Sequence, residues 1–126
     1  MIEFRKLSMI TAIITFALFL VLLFFPEIIF ILFQIPDNDS AFFISRRAAM
    51  LFLGIAVFSW LGRNAPHSEL RQAICVGLSI SMLALAGLGL FELIRGFSGL
   101  GIGLAIATEI FLGVSYFKIW AGNKSA

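Results

Sequence analysis

Polar residues are sparse along this chain and gather in a few short stretches, which divide it into four apolar runs at residues 7–25, 41–61, 73–94 and 100–120. Each run is about 19 to 22 residues long, or about 28 to 33 Å as α-helix, the thickness of the hydrocarbon core of a bilayer. Between the runs lie a mixed stretch from Pro26 to Ser40, a polar loop from Gly62 to Gln72, and a tight Arg95-Gly96-Phe97-Ser98-Gly99 turn. Connections this short make consecutive helices run antiparallel. The pattern predicts an all-α fold: one integral-membrane domain over residues 1–126, built as a four-helix antiparallel bundle.

The first connection breaks the pattern. Pro26 and Glu27 interrupt the apolar run, yet Ile28 to Ile35 is apolar again before Pro36-Asp37-Asn38-Asp39-Ser40. Proline suits the first position of a new helix, so the segment reads as a short interfacial helix between the first and second spans. The alternative is that 26–36 continues the first span as a kinked, tilted extension. Asp39 or Ser40 is the expected N-cap of the second span.

Composition supports the membrane reading. The chain is 61% hydrophobic and 13% charged, with a mean hydropathy of +1.08. A soluble domain of this length could not bury that much apolar surface, so lipid is the expected solvent of the outer faces. Arg5 and Lys6 ahead of an apolar run imitate a secretory signal. The run is longer than a signal uses and no Ala-x-Ala-like site precedes Pro26, so the segment is expected to be retained. The net charge is only +2 and the nine basic residues are scattered, which argues against nucleic acid as a partner. Cys75, the single cysteine, has no second thiol for a disulfide, metal or redox role and reads as a small lipid- or core-facing residue.

The basic residues give the bundle a direction. With the N-terminus in the cytoplasm, that side holds Arg5, Lys6, Arg63, Arg71, Lys118 and Lys124, against Arg46, Arg47 and Arg95 outside. The excess predicts that both termini are cytoplasmic. Trp60, Tyr116 and Trp120 fall at the same level, where amphipathic rings form an interfacial belt. Small residues recur every four positions as Ala73, Gly77 and Ser81 on the third span and as Gly99, Gly103 and Ala107 on the fourth. Such ridges let helices approach closely in lipid, so these two spans are expected to pack together through them. The Gly99-x-Gly101-x-Gly103 run is no phosphate loop, because no strand precedes it.

Ionisable residues at hydrocarbon depth carry the most information about function, since each is costly unless paired or hydrated. Glu109 lies nine positions into the fourth run, about 14 Å along the helix and near the bilayer midplane. Arg46 and Arg47 come about one and a half turns into the second span. Glu92 and Arg95 sit one turn apart at the outer end of the third, and Glu27 opens the outer connection. The expected topology therefore collects Glu27, Arg46, Arg47, Glu92, Arg95 and Glu109 in the outer half of the bundle, as candidates for ligand or proton handling. In the structural alternative the arginines snorkel to the headgroups, and Glu109 bonds to Thr108, Ser115 or a neighbouring helix, or pairs with Arg46 or Arg47 as an internal latch.

Other chemistry is poorly supported. His67 stands alone in a polar loop and makes no metal or haem site, and Ser59, Ser79, Ser81 and Ser115 have no histidine base in the spans. No catalytic residue, metal site or cofactor is expected. Asn38-Asp39-Ser40 and Asn123-Lys124-Ser125 match the glycosylation pattern, which is short enough to arise by chance.

The run Phe25-Pro26, a loop, Phe42-Phe43-Ile44-Ser45-Arg46-Arg47, and a Gly54-containing span ending in Trp60-Leu61-Gly62-Arg63 resembles the small four-helix bacterial inner-membrane proteins grouped as DoxX-like. The resemblance covers the arrangement of most of the chain, with Arg46-Arg47 its closest local match, and Glu109 has no place in it. It implies a four-helix membrane bundle and an association with redox or quinone systems, and it transfers no functional residues. Three functions follow as expectations. The first is a non-enzymatic accessory or scaffold protein that forms homo-oligomers or joins a larger membrane complex. The second is a transporter or ligand-binding bundle using the charges around Glu109, and the third a quinone-associated redox subunit.

Overall fold

A computed structural model describes residues 2–96 and 99–122, as five helices in the order α1 Phe4–Phe24, α2 Pro26–Phe33, α3 Asp39–Leu61, α4 Glu69–Ile94 and α5 Leu100–Gly122. Phe97 and Ser98 of the tight turn, Lys124 of the charge count and the Asn123 glycosylation pattern lie outside the described residues. The four long helices are each long and apolar enough to cross a membrane, and the protein is a multi-pass, all-α helical bundle.

Local chemistry sets the helix boundaries. Phe25 leaves the helical region (φ −136°, ψ 52°) because the ring of Pro26 crowds the residue before it, and Pro26 then starts α2 where no backbone N–H is needed. α2 is thus a separate helix and not a tilted continuation of α1. It closes with Gln34 in the left-handed region (φ 56°) while the Ile35 N–H bonds to the Phe30 carbonyl at 2.8 Å. This hydrogen-bonded reversal ends the helix just before Pro36. Asn38 caps α3 in place of Asp39 or Ser40: its extended backbone aims Oδ1 at the Ala41 N–H, 2.8 Å away, whereas Asp39 is already helical. Ser68 caps α4 by accepting from the Arg71 N–H at 3.2 Å, with Glu69 in the first turn. That helix therefore starts four residues before its apolar run.

Spatial order differs from chain order. α1 packs along α3 and α4 along α5, and the two pairs meet mainly where α1 lies against α5. α2 bridges α1 and α5, while α3 and α4, consecutive in sequence, make at most a marginal approach. Along the second pair, Gln72 meets Trp120, Ser79 meets Gly113, and Gly89 meets Ile106. Partners advance on α4 as they recede on α5, so the pair is antiparallel.

The close α4–α5 packing was expected, but other residues carry it. A Cβ added at Gly113 would stand 2.7 Å from Leu83 Cγ, and one at Gly89 would stand 2.9 Å from Ile106 Cγ1. Gly77 and Gly103 have nothing within 4 Å of that position. The buried face of α4 runs through Cys75, Leu78, Ser79, Met82 and Ala86; at about 100° per residue the ridge Ala73, Gly77, Ser81 lies on the opposite side. It is exposed.

The core sits at the end of the bundle that holds the termini. Phe4 and Leu7 of α1, Cys75, Leu78 and Met82 of α4, and Leu112, Tyr116 and Ile119 of α5 form one buried cluster. Cys75 is accordingly a core residue. Tyr116 is fully buried, its hydroxyl 2.7 Å from Thr11 Oγ1, so it is not part of an interfacial belt. Trp60 does keep an outward position, 44% exposed under the guanidinium of Arg63 at 4.2 Å.

Candidate functional site

The charged candidates lie toward the opposite end of the bundle. α2 lies over the start of α5, where Leu32 and Phe33 close on Gly99 and Gly101; a Cβ on Gly101 would stand 2.6 Å from Leu32 Cβ. Below this contact α4 and α5, with the end of α2, line a cavity of about 440 Å³. Leu85, Leu88, Ile102 and Ile106 provide apolar walls, Phe33, Ile35 and Pro36 lie along one side, and two acidic residues, Glu92 and Glu109, complete the lining.

The acids differ in their surroundings. Glu92 is salt-bridged to Arg95 one turn later, with Nη1 3.2 Å from Oε2 and 3.3 Å from Oε1. Both partners are partly exposed, so the pair contributes at most about 1 kcal/mol and leaves Glu92 free to rearrange. Glu109 is half-buried, and its Oε2 is shielded from solvent with no hydrogen-bond partner. Thr108 cannot supply one as it stands, because its hydroxyl donates back to the Leu104 carbonyl at 2.9 Å.

The six charged candidates thus separate. Glu92 and Glu109 share the cavity, and Arg95 joins Glu92. Arg46 and Arg47 are exposed on α3, with the Arg47 guanidinium 5.8 Å from the ring centre of Phe43 on its own helix. α3 packs on α1 rather than on α5. Among the described residues no ion pair joins Glu109 to either arginine. Glu27, exposed in the first turn of α2, is placed to interact with the positive end of that helix. His67 is exposed in its loop.

A second polar group inside the bundle was not singled out from the sequence. Ser8, Thr11 and Thr15 line the buried face of α1. Thr11 donates to the Leu7 carbonyl at 2.9 Å and meets Tyr116 at 2.7 Å, while Thr15 donates to the Thr11 carbonyl at 2.7 Å. On α4, the Ser79 hydroxyl donates to the Gly113 carbonyl at 2.9 Å. The i, i+3, i+7 spacing of Ser8, Thr11 and Thr15 was a readable signal of a polar helix face. Its partners are side chains and carbonyls of the bundle itself, which makes it a structural element. A larger groove of about 610 Å³ between α1 and α3 is lined by apolar side chains such as Ile13, Phe16, Leu53 and Val57, and has the character of a lipid-facing surface.

Comparison with protein families, with curated proteins and with solved structures found no match to this chain.

Proposed function

We propose that the protein is a non-enzymatic accessory or scaffold component of a bacterial inner membrane, with both termini in the cytoplasm, that packs against a second copy of itself or a larger membrane complex. The observation that carries this reading is the outward ridge of α4. Ala73, Gly77 and Ser81 are exposed, and a Cβ at Gly77 would touch nothing, while the contact with α5 runs through other residues. Small-residue ridges allow close helix approach in lipid, and this one is left free for a helix from outside the bundle. The basic residues near the Trp60 and Trp120 ends support the orientation.

The test is oxidative cross-linking of a Gly77→Cys variant in a Cys75→Ala background, in native membranes. A covalent dimer or a cross-linked complex is expected at this position, and none from Leu51→Cys, which is 73% exposed on α3. A chain that migrates as a monomer in mild detergent and cross-links at neither position overturns the proposal.

A ligand-binding bundle is the second reading. The unpartnered Glu109 oxygen beside the α4–α5 cavity favours it.

A further inference from the structure

We propose that the cavity between α4 and α5 is a binding site for a lipophilic organic cation, whose apolar body lies between the helices and whose charge faces Glu109. The inference rests on the ligand-binding reading and names its ligand class. Three observations converge on it. The cavity, at about 440 Å³, lies in the range of about 300–1,000 Å³ that takes drug-sized molecules. Its walls are aliphatic on both helices through Leu85, Leu88, Ile102 and Ile106, so an apolar body displaces only lipid or poorly held water. The polar groups in its lining are acids, and one carboxyl oxygen of Glu109 is buried without a partner.

An acid at hydrocarbon depth is satisfied by a proton, by a donor or by a cation. Among the described residues no cation is placed against Glu109. Arg46 and Arg47 are exposed on a helix that does not pack against α5, and Arg95 is engaged with Glu92 near the end of α4. Anions are disfavoured by both carboxyl groups, and a neutral apolar molecule leaves the Glu109 oxygen unpaired. An organic cation meets both demands of the site. A lipid headgroup ammonium fits less well, because it would have to leave the interface to reach the depth of Glu109.

Tetraphenylphosphonium and tetraphenylborate share size and shape and differ in sign of charge, which makes them suitable probes. Equilibrium binding of each is measured to the full chain in phosphatidylcholine nanodiscs. Saturable binding of the cation and none of the anion is expected. Glu109→Gln, which keeps the shape of the side chain, is expected to weaken cation binding by about 10- to 100-fold, the loss of one close charge contact in a low-dielectric site. Ala105→Phe, which fills the cavity from α5, is expected to abolish it, and Glu27→Gln to leave it unchanged. Cation binding that survives Glu109→Gln overturns the inference. If Ala105→Phe still removes that binding, the cavity remains a ligand site and only the ligand class is wrong. No saturable binding of either ion to the unsubstituted chain sinks the inference and the ligand-binding reading together.

Discussion

The hydrogen bond between Tyr116 and Thr11 is a polar link that fastens α1 to α5, and its energy can be anticipated from the geometry. Thr11 commits its own proton to the Leu7 carbonyl at 2.9 Å, so the Tyr116 hydroxyl must donate to Thr11 Oγ1 across 2.7 Å. Tyr116→Phe removes that donor and leaves Thr11 with its local bond intact, while the buried Ser8 hydroxyl, which also hydrogen-bonds to Tyr116, loses that contact. The expected cost is about 0.5 to 1.5 kcal/mol. Thr11→Val removes the acceptor and leaves a tyrosine hydroxyl in a site with 0% exposure. It costs more, about 1 to 3 kcal/mol, with the low end set by the hydrogen bond that Ser8 already makes to Tyr116. A double-mutant cycle separates the pair energy from these penalties. Interhelical hydrogen bonds in bilayer-embedded proteins average about 0.6 kcal/mol and reach about 1.7; the short distance and full burial here place the coupling in the upper half of that range. Reversible unfolding by sodium dodecyl sulfate in mixed micelles, followed by helix content, gives the four free energies. Strictly additive single substitutions would refute the reasoning, because they would mean that the two hydroxyls do not share a bond. Tyr116→Ala is the size control, expected to cost about 3 to 5 kcal/mol through the cavity it leaves among Leu7, Cys75 and Leu112.

Two further outcomes test other parts of the fold. Gly101→Ala places a methyl 2.6 Å from Leu32 Cβ and 2.7 Å from Phe33 Cδ1. It should lift α2, destabilise the protein by about 1 to 3 kcal/mol and accelerate amide exchange over residues 26–35. Gly103→Ala, two positions on but with open space around it, should stay within about 0.5 kcal/mol of the parent, and equal effects at the two sites would contradict the docking of α2 on α5. Asn38→Ala removes the cap of α3 and should cost about 1 kcal/mol, whereas Ser40→Ala should be close to neutral; the reverse ranking in the same unfolding assay would return the cap to Ser40.

The site was legible in part. The position of Glu109 within an otherwise apolar run was enough to single it out, and the spacing of Glu92 and Arg95 was enough to pair them, because both are properties of one helix. Whether Arg46 or Arg47 reaches Glu109 depends on whether α3 is a neighbour of α5, which the pattern within either helix does not specify. The same limit applies to Tyr116. Its place near the end of a span fits an interfacial belt, and only the approach of α1 turns it into a buried partner for Thr11.

The number of spans and the break at Pro26 follow from the chain alone, since each depends on local backbone chemistry or on the thickness of hydrocarbon to be crossed. The pairing of α1 with α3, the use of Gly89 and Gly113 in place of Gly77 and Gly103 in the expected α4–α5 contact, and the cavity beside Glu109 were decided by tertiary structure. The reason is the solvent. In water, an amphipathic pattern marks which face of a helix turns inward. In lipid, apolar residues are equally at home on either face, so the inward direction is chosen by side-chain fit and by a few hydroxyl and carbonyl contacts that exist only once the helices have met.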